Sequence, residues 1–144
     1  MIAAREAAMN LLAMREHSQQ ELRRKLRQKS FAEDQIETAI AALAQEGLQS
    51  DERFTETFIR SRKNAGHGPL KIRNELQQRG INDALISTYL NEQDEQWWEA
   101  MIAAWQKKFT AKPEPYDQKN YGKQARFLMQ RGFATDAIRS WLLS

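Results

Sequence analysis

Apolar residues recur along this chain at helical spacing, in blocks that repeat. From Leu76, Ile81 follows five positions on and Ile86 five more; Ile86, Tyr89 and Leu90 then make an i, i+3, i+4 stripe. Leu26, Phe31, Ile36, Ala39 and Ile40 keep the same offsets, as do Leu128, Phe133, Ile138, Trp141 and Leu142. Such stripes predict amphipathic helices, and no window alternates with the period of two that a strand needs. A basic residue stands two positions before each second anchor: Lys29, Arg79 and Arg131. A turn-former follows it: Ser30, Gly80 and Gly132. Glycine suits the left-handed position that ends a helix; Ser30 suits it less, so the first turn is expected to differ.

The upstream ends match as well. Eight positions before the anchors stand Ser18, Gly68 and Asn120, all residue types that cap helix N-termini. Ser18-Gln19-Gln20-Glu21 reads as a capping box, and Pro69 takes a first helical position, where its missing N–H costs nothing. Leu22 and Ile72 are inward partners four before their anchors. Gln124 takes that place in the third block, whose middle helix is therefore expected to pack less tightly or to shift. A leading helix opens each block. The first shows Ala4, Ala7, Ala8, Leu11 and Leu12 on one face; the second is capped by Ser50 and turns Phe54 and Phe58 inward. The third shows Trp98, Met101, Ile102, Trp105 and Phe109. Two prolines break any helix across residues 110–119. The expectation is an all-α fold of three tandem three-helix repeats, spanning residues 1–48, 49–92 and 93–144 and forming an elongated, curved array. Each repeat is too small to bury its core well alone.

Charge follows the same period. The 144 residues carry a formal net charge of only +3, but its sign alternates along the chain. Residues 21–29 hold five basic and one acidic side chain, and residues 31–56 hold one basic and seven acidic. Residues 60–79 return to six basic against one acidic, residues 82–99 have five acidic and no basic, and residues 105–131 have seven basic against two acidic. The repeat is thus written in charge as well as in apolar residues.

Composition mostly excludes. There is no cysteine, so disulfides and thiolate metal sites are ruled out. The two histidines, His17 and His67, have no metal-ligand spacing. No apolar run approaches the roughly 20 residues of a membrane span, and the N-terminal MIAAREAAMN has charges where a signal peptide is apolar. The expectation is a soluble cytoplasmic monomer without metal or cofactor. Gly66-His67-Gly68 lacks the preceding strand and the full glycine pattern of a nucleotide loop, and reads as a helix-entry turn. His17 and His67 fall just before caps, as solvated turn residues. Trp98, Trp105 and Trp141 lie on apolar stripes and read as core rather than as base-stacking platforms, with Trp97 undecided. No nucleophile–base set or carboxylate pair recurs at a useful spacing, so no enzyme is expected.

A three-helix block with a glycine turn before its last helix resembles a DNA-reading helix-turn-helix. Here, however, the last helices carry Glu33, Asp34 and Glu37, then Asp83, then Asp136, with Arg139 their only basic residue. Phosphates repel such helices. The positive charge lies on the middle helices: Arg23, Arg24, Lys25 and Arg27; Lys71 and Arg73; Lys123 and Arg126. Stepping 100° per residue from the inward direction, Arg24 and Arg126 point outward, Lys71 and Lys123 share one flank, and Arg23 and Arg73 share the other. These residues, with Arg60 and Lys63 on the second leading helix, are the candidate partner-binding ridge.

The segments HSQQELRRKL, SDERFTETFIRSR, GPLKIRNELQQRGI and QARFLMQRGFATDAI, in this order, resemble the RecX family, bacterial regulators of the RecA recombinase. The similarity covers nearly the whole chain and departs at Ser30 and Gln124. The resemblance implies a curved array of three-helix repeats that binds the helical groove of the RecA–DNA filament. It further implies suppression of ATP hydrolysis, strand exchange and co-protease activity, and so modulation of recombination, DNA repair and the SOS response. Weak direct binding to single- or double-stranded DNA is compatible with the same ridge. Two other readings stay open: a nonspecific nucleic-acid-binding accessory protein, and a helical adaptor with no link to DNA.

Overall fold

A computed structural model of the chain describes residues 2–144, and among them the regular structure is entirely α-helical. The helices are α1 (Ala4–Met14), α2 (Gln19–Gln28), α3 (Glu33–Gln45), α4 (Asp51–Asn64), α5 (Pro69–Gln78), α6 (Asp83–Tyr89), α7 (Gln96–Lys108), α8 (Gln118–Arg131) and α9 (Thr135–Leu142). The all-α reading and its three successive helix triplets are therefore present. By contacts the chain forms two compact units, Met1–Phe58 with Leu76–Ile86, and Ile59–Glu75 with Ser87–Ser144.

In the first unit α1, α2 and α3 pack mutually around Ala7, Ala8, Leu22, Leu26, Ile36, Ile40 and Leu43. In the second, α7, α8 and α9 enclose Met101, Trp105, Leu128, Phe133, Ile138 and Leu142. The anchors Leu26, Leu76 and Leu128 are all fully buried. Their five-residue offset has a backbone cause. The amides of Phe31, Ile81 and Phe133 donate to the carbonyls of Leu26, Leu76 and Leu128, at 3.3, 3.1 and 3.1 Å. One residue earlier, Ser30, Gly80 and Gly132 donate to Arg27, Gln77 and Met129 at 2.9, 3.1 and 3.0 Å. This bond pair is the Schellman ending of a helix, whose apolar residues at its two ends touch. Ser30 adopts the required left-handed backbone, φ 68°, so the first turn does not differ from the others. The expected exception is absent because the same hydrogen bonds hold it there.

The same ending explains the glycine–histidine stretch. Gly66, at φ 88°, closes α4, with the amides of Gly66 and His67 donating to Lys63 and Arg62. Gly68 serves a different end: a Cβ there would lie 2.5 Å from the Gly132 carbonyl carbon and 2.7 Å from the Phe133 nitrogen.

Four further expectations change. His17 is only 1% exposed rather than solvated, because its ring lies between the Arg15 carbonyl and Lys25. The buried face of α7 is Trp97, Met101, Ala104 and Trp105, so Trp97 is core at 8% exposure while Trp98 is 38% exposed. Trp98 sits at the rim, edge-on to Trp141 with ring centroids 6.2 Å apart. Gln124 is 2% exposed and tightly held: it accepts from Trp105 Nε1 at 2.8 Å and donates to the Ala111 carbonyl at 3.0 Å. Finally α8 begins earlier than the repeat spacing predicts, and Asp117, not Asn120, is its cap, accepting from the Asn120 amide at 2.9 Å.

Candidate functional site

The basic middle helices owe their surroundings to how their ends are satisfied. In the first unit the α2 N-terminus meets the α5 C-terminus. Ser18 closes the capping box with Glu21 and donates its hydroxyl to the Arg79 carbonyl at 2.8 Å, and Gln20 donates to the Gln78 carbonyl at 3.1 Å. In the second unit the α5 N-terminus meets the α8 C-terminus in the same way: the Gly68 amide donates to Arg131 at 2.6 Å and the Leu70 amide to Gly132 at 3.0 Å. Carbonyls at one helix end are thus met by donors at another helix start, side chains in the first unit and backbone amides in the second. The opposing ends of the helix dipoles attract as well.

Side chains on the candidate ridge divide into paired and unpaired cations. Arg23 donates to Glu37 at 2.8 Å and Arg27 to Glu33 at 2.6 Å, so α3 neutralises one flank of α2. Hydrogen bonding from Arg23 holds the Glu37 carboxyl below its usual pKa. Arg73 is bonded to Glu92 in the second unit. The flank shared by Arg23 and Arg73 is therefore occupied by the chain's own carboxylates. Lys63 bonds Gln96 and lies over the Trp97 ring, 5.3 Å from its centroid. Lys25 is half-buried, with its Nζ 3.4 Å from His17 Nε2.

Arg24, Arg60, Lys123 and Arg126 are exposed, and Lys71 is half-buried; none of the five has an ion pair among the described residues. The sequence pattern brought out Arg79 and Arg131 only as repeat markers. The structure places each of them in a cluster of charges around a histidine. In the first unit Arg15 donates to both Glu21 oxygens at 3.1 and 3.3 Å, and Arg79 Nε lies 3.5 Å from the same carboxylate. Burial pushes the Glu21 pKa up, but the bonds from Arg15 and Ser18 outweigh it and leave the carboxyl below its usual range. In the second unit His67 Nδ1 lies 3.8 Å from Glu75, whose other oxygen is 3.7 Å from Arg62 Nε. Burial, with Lys71 adding to it, lowers the His67 pKa.

Among the described residues no group of histidines and carboxylates could hold a metal ion, and no helix is long and apolar enough to cross a membrane. What the site offers is exposed cation on helices of each unit.

Family comparisons cover the same ground in sequence. The first three-helix domain of RecX matches residues 4–43, the second residues 50–90 and the third residues 94–142. Regulatory protein RecX of Pseudomonas putida (strain W619) is 46% identical over 137 residues, which cover 95% of this chain and 87% of that protein. Regulatory protein RecX of Pseudomonas tolaasii is 45% identical over 144 residues, covering 100% of this chain and 92% of its own. A crystal structure of regulatory protein RecX superposes with a TM-score of 0.81 at 19% identity, covering 97% of this chain and 71% of that one. RecX from Lactobacillus salivarius gives 0.76 at 24% identity, covering 95% and 90%. These two structural likenesses bear on the fold alone.

Proposed function

Because the chain belongs to the RecX family of regulatory proteins, we propose that it binds the filament formed on DNA by the RecA recombinase and restrains it. The restraint extends to ATP hydrolysis, strand exchange and the filament's co-protease role. The observation that carries this reading is the match of all three RecX domains, in order, across residues 4–142. The unpaired cations of the three middle helices, Arg24, Lys71, Lys123 and Arg126, support it, since a nucleoprotein filament presents both phosphates and acidic side chains.

Restraint of this kind needs no catalytic group. A ligand shifts an equilibrium by its difference in affinity for two states, so binding one filament state better than another suffices. Several modest contacts on one chain also reinforce one another through effective concentration. The protein itself therefore hydrolyses nothing and needs no cofactor.

The test is the rate of ATP hydrolysis by RecA on single-stranded DNA as the protein is added. Turnover should fall at substoichiometric amounts, and the protein should co-sediment with the filament. Unchanged or faster turnover sinks the reading. Equal affinity for naked DNA at matched salt would make a nonspecific nucleic-acid binder the better account.

A further inference from the structure

The two units carry the same charged cluster with its charges exchanged. In the first, His17 precedes the cap of α2, Glu21 and Lys25 follow on α2, and Arg79 enters from the end of α5. Glu21 is held there by Arg15 at 3.1 Å and lies 3.5 Å from Arg79. In the second unit His67 takes the place of His17 and Arg131 that of Arg79. Lys71 stands where Glu21 stood, however, and Glu75 where Lys25 stood. The carboxylate has moved one helical turn, toward His67 and Arg62.

Arg131 has consequently lost the anion its counterpart faces. It makes no ion pair among the described residues, and its guanidinium lies over the Phe127 ring, 5.2 Å from the centroid. Lys71 is equally unpaired, and its backbone packs directly on Gly132, where an added Cβ would come 2.7 Å from Lys71 N. Both side chains are half-buried, so part of their hydration is already gone. The amides of Gly68 and Leu70 at the start of α5 are committed to the carbonyls of Arg131 and Gly132, and the two side chains add charged donors beside them. The charges of Lys71, Arg62 and Arg131 all act on His67, opposed by the Glu75 carboxylate, so three cations and one anion share this neighbourhood.

We propose that Lys71 and Arg131 form a docking site for a carboxylate side chain of a partner protein, seated against Arg131 as Glu21 is seated against Arg79 in the first unit. The occupant is argued from the chain's own arrangement, because the equivalent position facing Arg79 is filled by a carboxylate. Arginine favours such a group for its planar, two-pronged donor geometry. The proposal adds Arg131 to the candidate surface and does not depend on which protein the partner is.

The experiment follows backbone amide NMR signals of the full chain during titration with a short poly-L-glutamate peptide, with inorganic phosphate, and with an oligothymidylate, all at matched salt. The peptide should shift the amides of Gly66, Gly68 and Gly132. Lys71→Glu hands Arg131 a carboxylate from within the chain; it should keep or raise the melting temperature and weaken the peptide's effect about tenfold or more, as like charge meets like. Arg131→Gln, which removes the guanidinium and its charge, should weaken it too, and decides the matter if Lys71→Glu does not fold. Lys119→Glu makes the same charge change at an exposed position outside the ridge and should leave the response at the three glycines in place. The proposal is overturned if the peptide leaves these glycines unmoved, or moves them equally in wild type and both site variants. It is overturned as well if only phosphate or the oligothymidylate moves them, since the site would then read phosphate.

Discussion

Gly80 and Gly132 answer two demands at once. Each has a left-handed backbone, φ 81° and 99°, and each lets another helix approach where a Cβ would collide: Gly80 with Gln20 Cβ at 2.8 Å, Gly132 with Lys71 N at 2.7 Å. Gly47 has the same backbone, φ 76°, with nothing within 4 Å. Gly47→Ala should therefore cost about 1 kcal/mol, from the backbone alone, and Gly132→Ala on the order of 2 kcal/mol or more. Ser30→Gly should be neutral or stabilising by up to about 1 kcal/mol, since a left-handed non-glycine residue is relieved. Urea denaturation midpoints compare the three; equal costs at Gly47 and Gly132 would show that the close approach contributes nothing. A second residue-level outcome concerns pH. Burial of His17 lowers its pKa, with the bond to the Arg15 carbonyl opposing and the charges of Arg15 and Lys25 assisting; burial does the same at His67. The unfolded chain then takes up protons before the folded one. The histidine contribution should be full above about pH 6.5 and fall as pH drops from there toward the folded pKa values, and the lowered carboxyls of Glu21 and Glu37 extend the loss at more acid pH. Urea midpoints at successive pH values should show this fall, and replacing both histidines by glutamine should flatten it. A midpoint that rises on acidification through this range would contradict the assignment.

At the scale of single helices, α8 shows how a polar residue can hold a core position. Gln124 occupies the site of Leu22 and Ile72, and restoring the apolar pattern by Gln124→Leu looks conservative from the repeat. It would strand the Trp105 indole N–H and the Ala111 carbonyl, each now bonded to Gln124. Leaving buried polar groups unpaired costs about 1–3 kcal/mol, so the substitution should destabilise despite its added hydrophobicity. A melting temperature equal to or above wild type would show that those groups find other partners. The reason for the departure lies in residues 110–119, whose backbone carbonyl at Ala111 needs a donor that no leucine supplies. The other element-level feature, the five-residue spacing between anchors, was legible because a Schellman ending is local: its bonds and its apolar contact lie within six consecutive residues.

For the molecule as a whole, the question is which charges are available to a partner. Arg73→Glu would set a carboxylate against Glu92, and Arg23→Glu against Glu37, so both changes replace an ion pair with like-charge repulsion and mix stability with binding. Arg24, Lys123 and Arg126 avoid this, being exposed and without ion pairs among the described residues. Reversing exposed charges normally changes stability by no more than roughly 0.5 kcal/mol each. The triple variant Arg24→Glu, Lys123→Glu, Arg126→Glu should thus melt near wild type yet bind the RecA filament much more weakly. Wild-type binding should also weaken with added salt, since exposed charges are screened over about 8 Å at physiological ionic strength. A folded triple variant that restrains the filament as well as wild type would remove the ridge from consideration.

Helix identity, the three-fold repetition and the buried anchors Leu26, Leu76 and Leu128 were determined by the sequence alone, because 3.6-residue periodicity and capping act between near neighbours. The same local character made the alternation of basic and acidic helices readable. Which of those cations stay free was decided by the tertiary structure: Arg23 finds Glu37 fourteen positions away, and Arg73 finds Glu92 nineteen away. Burial of His17, the choice of Trp97 over Trp98 for the core and the seating of Gln124 were decided there too. Each depends on how one helix lies against another, and a side chain's facing along its own helix does not specify what it will meet.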